Sequence, residues 1–438
     1  MLFEQQYGGD LMSKTTPPIG ARPSLFPAYK DTQQEQRLVS MMLRICEIIP
    51  NVAEIISLSA GTSTSKRNLN SLSIVIEPIF KNAEKRPDAY IRIGDKSILV
   101  EKKTGTNEIK NEQIQHYGEI AFNNDIDVIL TISNQLTSDP THHPSDIKLK
   151  RRKIDLRHVS WRHIATGIDN ILKANTLEAD PSKRDVLKDF YQFLENPTVS
   201  GVLGFTQMSP EWTMLCQSAV GERLNKSVYE QCVKDWFQEE KELTLLLMRE
   251  FKEGAHGTGV SIYQKRSETS EQRFAQSVKD LEKSTRLVTD LSIRGASSLM
   301  KVSVDIRSHK ITISMNVSIS GPSTIRGQVS KLKSMLSHLA KDDSQIRDHV
   351  KILAYKKYAR ERRSCTIDRL FNDEWHDQFD MLKSEDFNIE YDMEISKAHF
   401  RGRKIFITHL EKGVMNYYSE IGQWLRNDQK PAPKTKDA

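Results

Sequence analysis

Residues 86–105 read RPDAYIRIGDKSILVEKKTG, and this segment decides the fold of the first part of the chain. An alternating stretch, DAYIRIG at 88–94, is followed by a continuous apolar stretch, KSILVEK at 96–102, with a Gly94-Asp95 pair at their junction. Both patterns predict β-strands, and a Gly-Asp pair between two strands favours a tight turn. The segment therefore predicts a β-hairpin, and its apolar second strand predicts a central place in a sheet.

Three charged side chains are predicted to converge at the open end of this hairpin. A turn at 94–95 places Asp88 nearly opposite Glu101, with Cβ atoms about 5 Å apart if both face the same side. Glu101 and Lys103 share a face because they are two residues apart, whereas Lys102 is expected to point to the other face. Two carboxylates so close repel each other unless a cation lies between them. Their hard oxygens suit a divalent ion such as Mg²⁺.

An alternative interpretation of these charges is a surface ion-pair network at the hairpin end, which would contribute little to stability.

The flanking sequence follows an α/β pattern. Apolar residues recur at steps of three and four over 32–49, which predicts a helix that is broken or kinked at Pro50. Further strands are predicted at 71–80, 127–133 and 156–161, and further helices at 107–122 and 162–173. The resulting order is αβββαβ, then a further strand and helix, which indicates an α/β fold with a mixed sheet.

The hairpin end resembles the motif of the PD-(D/E)xK nuclease superfamily. Pro87-Asp88 is followed, after an apolar strand, by Glu101-Lys102-Lys103, and the resemblance covers roughly residues 30–175. Gln113 and Tyr117, four apart on a predicted helix, resemble the Q-x3-Y element of RecB-type members.

The start of the first helix, EQRLVSMML at 35–43, loosely resembles the E-N-x-x-T start of many relatives. Glu35 matches that pattern, whereas Gln36 and Val39 depart from it.

The resemblance implies a restriction-endonuclease-like core with a metal site. Asp88, Glu101 and the backbone carbonyl of Lys102 would bind Mg²⁺, with Mn²⁺ able to substitute. Lys103 would orient or activate the attacking water and stabilise the developing negative charge. The full implied catalytic set is Asp88, Glu101, Lys103, Glu35, Gln113 and Tyr117.

Two of these assignments stay open on the residues alone. Either Glu35 or Glu54 could complete the metal site, and Glu35 is also explained as a first-turn partner of the helix dipole. Gln113 and Tyr117 would position the site or the phosphate backbone, or they form a polar helix face with one packed tyrosine.

The chain of 438 residues is expected to contain more than one domain. The predicted order is a poorly ordered lead-in at 1–25, the nuclease-like domain at 26–200, a helical connector at 201–265, an α+β domain at 266–430 and a flexible tail at 431–438. Within the α+β domain, 301–320 predict a hairpin, and 388–396 and 403–410 predict strands.

Composition points to a cytoplasmic protein. No run approaches the roughly 18–20 apolar residues that span a bilayer, and the N-terminus lacks the pattern of a secretory signal. The four cysteines are scattered without a CxxC pair, as expected in a reducing compartment. The net charge of +6 is compatible with a polyanionic partner.

Two basic runs, 148–153 and 356–363, are candidate phosphate contacts, although a solvated helix face is the commoner origin of such runs. The candidate nucleic-acid-binding residues are Lys148, Lys150, Arg151, Arg152, Lys356, Lys357, Arg360 and Arg363.

The implied function is a Mg²⁺-dependent DNA endonuclease of a bacterial restriction or anti-phage defence system, with RNA left open as substrate. The C-terminal region would serve recognition, homo-oligomerisation or binding of a defence-system partner. The alternative is a nucleic-acid-binding or adaptor protein that keeps the fold without catalysis.

Overall fold

The structure, a computed structural model, falls into two compact units. One comprises residues 1–134, 139–168 and 177–203, and the other comprises 135–138, 169–176 and 204–438. The residues that the structure describes are 18–30, 33–80, 85–105, 107, 109–137, 143, 149, 153–174, 176–218, 222–250, 259–265, 268–319, 324–340, 344, 346–355, 362–379 and 386–425.

The chain up to residue 203 contains six strands and seven helices among its described residues. The strands are β1 Ile19–Ala21, β2 Ser73–Ile79, β3 Ala89–Ile93, β4 Lys96–Lys102, β5 Val128–Ser133 and β6 Asp155–Ser160. The helices are α1 Gln34–Ile48, α2 Pro50–Ser59, α3 Lys66–Asn70, α4 Asn111–Asn123, α5 Trp161–Lys173, α6 Pro181–Leu194 and α7 Pro197–Ser200.

The six strands form one mixed sheet in the order β1-β2-β3-β4-β5-β6. Pairing is antiparallel from β1 to β4 and parallel between β4, β5 and β6. Ala89 pairs with Val100, so the predicted hairpin and its register are confirmed. The α/β class with a mixed sheet is therefore established.

The predicted helices around the sheet are present, with small changes at their ends. Pro50 is the first residue of α2, where the missing N–H leaves no hydrogen bond unmade, so the first predicted helix ends at Ile48 and a second begins. Helix α4 buries Ile114, Tyr117 and Ala121 in one apolar cluster with residues of the sheet. This packing fixes α4 beside the end of the hairpin.

The prediction of a poorly ordered lead-in was wrong for Ile19–Ala21, which form β1 at the edge of the sheet. Gly20 allows the close approach, because a Cβ there would lie 2.5 Å from the carbonyl oxygen of Ile76. The sequence signal was missed because three residues are too few for a visible alternation.

The chain from residue 204 onward contains a second, antiparallel sheet in the order β12-β11-β13-β10-β9-β8-β7. Its strands are β7 Val260–Ile262, β8 Arg286–Ile293, β9 Met300–Asp305, β10 Lys310–Ser318, β11 Val350–Tyr355, β12 Arg362–Thr366 and β13 Asp386–Glu394. The helices of this part of the chain are α8 Pro210–Gln217, α9 Lys226–Glu250, α10 Ser270–Ser284, α11 Ile325–Met335, α12 Ile367–Phe371, α13 His376–Phe379, α14 Lys397–Arg401 and α15 Arg403–Glu420.

Predictions for this region are partly confirmed. Strands β9 and β10 form the hairpin predicted at 301–320, and β13 matches the strand predicted at 388–396. The strand predicted at 403–410 was wrong, because this segment begins α15 and buries Phe406, Ile407 and Leu410 at helical spacing. The helices predicted within 201–265 are present as α8 and α9, but they are not a separate connector, since their apolar residues belong to the core of the second unit.

Within the described ranges, no helix has the length and apolar character needed to cross a membrane.

Candidate active site

Asp88 lies immediately before β3 and is held by the last residue of β4. Its Oδ2 accepts from the backbone N–H of Lys102 at 2.8 Å, and its Oδ1 accepts from Lys102 Nζ at 2.6 Å. The prediction that Lys102 points away from Asp88 was therefore wrong. Asp88 lies just outside the regular strand, so its side chain can turn across the strand end and bind both nitrogens of Lys102.

Glu101 is the most deeply buried carboxylate of the predicted set, with a side chain only 2% exposed. Its Oε1 accepts from Lys103 Nζ at 2.7 Å and from Gln113 Nε2 at 2.5 Å. Burial, followed by the nearby charge of Asp88, raises the pKa of Glu101 to about 7, although Lys103 acts in the opposite direction. This carboxyl group therefore changes from its protonated to its ionised form near neutral pH.

Lys103 is fixed through its backbone on both sides. Its N–H donates to Ile132 on β5 at 2.8 Å, and its carbonyl accepts from Trp161 Nε1 at 2.9 Å. Burial acts to lower the pKa of Lys103, but the charge and hydrogen bond of Glu101, together with the charges of Asp88 and Glu35, outweigh it, so the pKa is raised. This ammonium group stays protonated and is 20% exposed, so it can reach a ligand.

Glu35 lies in the first turn of α1 and approaches the end of β4. Its Oε1 accepts from the backbone N–H of Thr104 and from Asn107 Nδ2, both at 3.0 Å. Its charge also contributes to the raised pKa of Lys103, after the larger effects of Glu101 and Asp88. Of the two rival acids, Glu35 therefore lies beside the predicted set, while Glu54 lies on α2.

Gln113 and Tyr117 connect α4 to the hairpin. Besides binding Glu101, Gln113 Nε2 donates to the Tyr117 hydroxyl at 3.0 Å, and that hydroxyl donates to the carbonyl of Arg86 at 3.2 Å. Burial raises the pKa of Tyr117, which stays a neutral hydroxyl. The predicted pair therefore faces the site rather than solvent, and it anchors Glu101.

Glu77 is a further acid near this site, and the sequence analysis missed it. It has a left-handed backbone with φ of 48°, and its N–H donates to the carbonyl of Asp88 at 2.9 Å. The β1–β2 register shifts here, as at a β-bulge, which commonly redirects a side chain beside a functional site. Burial first, and then the charges of Glu77 and Asp88, raise the pKa of Tyr29. The available signal was a glutamate followed by proline inside the apolar stretch SIVIEPIF.

The arrangement combines clustered carboxylates with one exposed ammonium group. Asp88, Glu101 and the Lys102 carbonyl supply oxygen ligands of the kind that Mg²⁺ binds, and the raised pKa of Glu101 shows a carboxylate that a cation would stabilise. Among the described residues, however, no group of three or more His, Cys, Asp or Glu is placed to hold a metal ion. The oxygen donors are of the type that binds a divalent ion, while in this structure the two carboxylates form ion pairs with Lys102 and Lys103.

The candidate phosphate contacts are mostly outside the described residues. This holds for Lys148, Lys150, Arg151, Arg152, Lys356, Lys357 and Arg360. Arg363 is half-buried on β12, where it pairs with Ala354.

Comparisons with family models, curated proteins and solved structures find no significant match to this chain.

Proposed function

We propose that the first unit is a Mg²⁺-dependent nuclease domain with a restriction-endonuclease-like core, with Mn²⁺ able to substitute. The observation that carries this proposal is the meeting of Asp88, Glu101 and Lys103 at one hairpin end, next to Glu35 from α1. A charged cluster of this kind at the end of central strands is costly for a fold that has no use for it.

The metal would be held by Asp88, Glu101 and the Lys102 carbonyl. A bound divalent ion supplies Lewis acidity and lowers the pKa of water. The side chains that already surround Glu101 keep it oriented: Gln113 fixes one oxygen, and Tyr117 fixes Gln113 in turn.

Lys103 has the role of binding the reacting phosphate. Its backbone is held by Ile132 and Trp161, and its ammonium group remains charged. A fixed positive group beside the phosphate stabilises the negative charge that grows on the phosphate oxygens during attack by water.

The proposed substrate is DNA, and the proposed setting is a cytoplasmic bacterial restriction or anti-phage defence system. This part rests on the motif resemblance and on the net charge of +6, which suits a polyanionic substrate. RNA is the other substrate to test, and the second unit is proposed to recognise target, partner or a second copy of the chain.

The decisive experiment measures cleavage of plasmid DNA, linear DNA and RNA with Mg²⁺ or Mn²⁺. Lys103→Ala should abolish cleavage while the protein stays folded, although the lost ion pair with the buried Glu101 should lower the melting temperature. Lys110→Ala, an exposed lysine before α4, is the matched control and should cut like the wild type. Cleavage by Lys103→Ala at the wild-type rate would show that the site is wrongly assigned.

A second candidate, a nucleic-acid-binding or adaptor protein without catalysis, is favoured by the Asp88–Lys102 pair. Lys102 is 1% exposed and its ammonium group lies 2.6 Å from Asp88, so an internal cation already neutralises this carboxylate. Calorimetric titration separates the two: the nuclease takes up Mg²⁺ or Mn²⁺, and the adaptor takes up neither while still binding DNA.

A further inference from the structure

The second unit contains a cavity of about 680 Å³ whose lining is rich in cationic side chains. Five arginine or lysine residues line it against two glutamates. The cationic residues are Arg223, Lys279, Lys283, Arg307 and Arg401. A cavity of this volume is typical of small-molecule sites, and the excess of positive charge favours an anion.

Two nitrogen atoms in the lining are buried and have no hydrogen-bond partner among the described residues. They are Nε2 of His309 and Nε of Arg401. The His309 ring packs edge-on against Phe400, with centroids 5.1 Å apart, which fixes its orientation. A buried polar group without a partner is energetically unfavourable, so both nitrogens are explained best by a ligand that supplies hydrogen-bonding partners.

The β9–β10 turn positions Arg307 and His309 at the cavity. Asp305 Oδ1 accepts from the backbone N–H groups of Arg307 and Ser308, both at 3.1 Å, and this fixes the turn. His309 follows with a left-handed backbone at φ 54°, which a non-glycine residue rarely adopts. The turn thus holds Arg307 and His309 at the cavity in a conformation that costs free energy.

Helix α10 supplies two further cations. Lys279 and Lys283 are one turn apart, so their like charges repel, and neither forms an ion pair within the described part of the chain. Thr285, the residue after α10, is tied to the β9–β10 turn, since the N–H of Ile306 donates to the carbonyl of Thr285 at 3.0 Å. A basic residue in a last helical turn is ordinary, but two that line the same cavity as Arg307 indicate a common anion.

We propose that this cavity binds a small phosphorylated ligand of about nucleotide size. Several permanent cations require a ligand with several negative charges, and guanidinium groups bind phosphate with two parallel hydrogen bonds. Leu215 and Ile306 provide apolar surface for an organic part. The cations line a concave space rather than an extended stripe, which favours a small molecule over a nucleic-acid strand.

The test is calorimetric titration of the full chain with ATP, sodium pyrophosphate, adenosine and a short DNA oligonucleotide in EDTA, where no divalent ion can act at the first unit. ATP should bind at least tenfold more tightly than pyrophosphate, and adenosine should not bind. The double variant Arg223→Ala/Arg307→Ala should weaken ATP binding at least tenfold. Lys301→Ala, an exposed lysine on β9 outside the lining, is the matched control and should bind like the wild type.

His309→Gln provides an independent check, because it replaces the ring whose buried Nε2 has no hydrogen-bond partner among the described residues. This variant should also bind ATP more weakly while the fold is retained. The proposal is overturned if neither ATP nor pyrophosphate binds, if the double variant binds like the wild type, or if only DNA oligonucleotides bind. Because Lys103→Ala should bind ATP normally, failure here is distinguishable from failure of the nuclease proposal.

Discussion

Replacing Glu101 by glutamine should change the stability of the metal-free protein in a pH-dependent way, with a difference from the wild type that is more favourable to the variant above neutral pH than at low pH. The folded protein holds a proton on Glu101 up to a pKa of about 7, whereas the unfolded chain releases it near 4.5. Between these values the native state binds more protons than the unfolded state, so stability falls as pH rises. Above pH 7 the full loss is present, and the glutamine variant lacks it.

The expected size follows from the separation of the two pKa values. At 1.36 kcal/mol per unit, the loss is on the order of 3 kcal/mol, or roughly 6–12 °C in melting temperature for a domain of this size. Melting curves in EDTA from pH 4.5 to 8.5 for wild type and Glu101→Gln measure it. Loss of the Lys103 hydrogen bond shifts the variant by a constant amount, so only the change with pH is used.

The control is Glu112→Gln, an exposed acid on α4, which should show no pH-dependent difference from the wild type. A difference between wild type and Glu101→Gln that stays constant from pH 4.5 to 8.5 would refute the burial of Glu101 beside Asp88.

Three further outcomes are expected. Millimolar Mg²⁺ should raise the melting temperature of the wild type, because ion binding at a tenfold excess over Kd adds about 1.4 kcal/mol to the free energy of unfolding. Asp88→Asn should lose this gain, and an equal gain in the variant would contradict the metal site. Arg273→Ala should destabilise the second unit by about 3–5 kcal/mol in denaturant unfolding, because Arg273 binds both oxygens of the fully buried Glu240 at 2.6 and 2.5 Å; a loss below about 1 kcal/mol would contradict this pair. Gly20→Ala should detach β1, seen as faster proteolysis near residue 20, since its Cβ would meet the Ile76 carbonyl; unchanged proteolysis would contradict the edge pairing.

The hairpin was predictable because a tight turn fixes register. Once the turn lies at 94–95, the pairing of Ala89 with Val100 follows by counting, and so does the approach of Asp88 to Glu101. Helix α4 was predictable from its apolar spacing, but the contact between Gln113 and Glu101 was not. That contact depends on how α4 packs on the sheet, which one sequence does not specify.

Other features were missed where local preference and tertiary packing disagree. The stretch RKIFITHL is rich in β-branched and aromatic residues, yet its burial follows a helical period that continues to Tyr417 and Tyr418. Glu77 was missed because a bulge is invisible in an alternating pattern until the register of both neighbouring strands is known.

The pairing of charges at the hairpin end also shows what a metal would have to change. Each carboxylate has one lysine: Lys102 binds Asp88, and Lys103 binds Glu101. Even so, the pKa of Glu101 stays near 7, so one lysine does not offset both burial and the charge of Asp88. The remaining unfavourable charge lies on Glu101 beside Asp88, where a divalent cation would stabilise both carboxylates. Lys103 is more exposed than Lys102, so its ammonium group is the one able to move towards a phosphate.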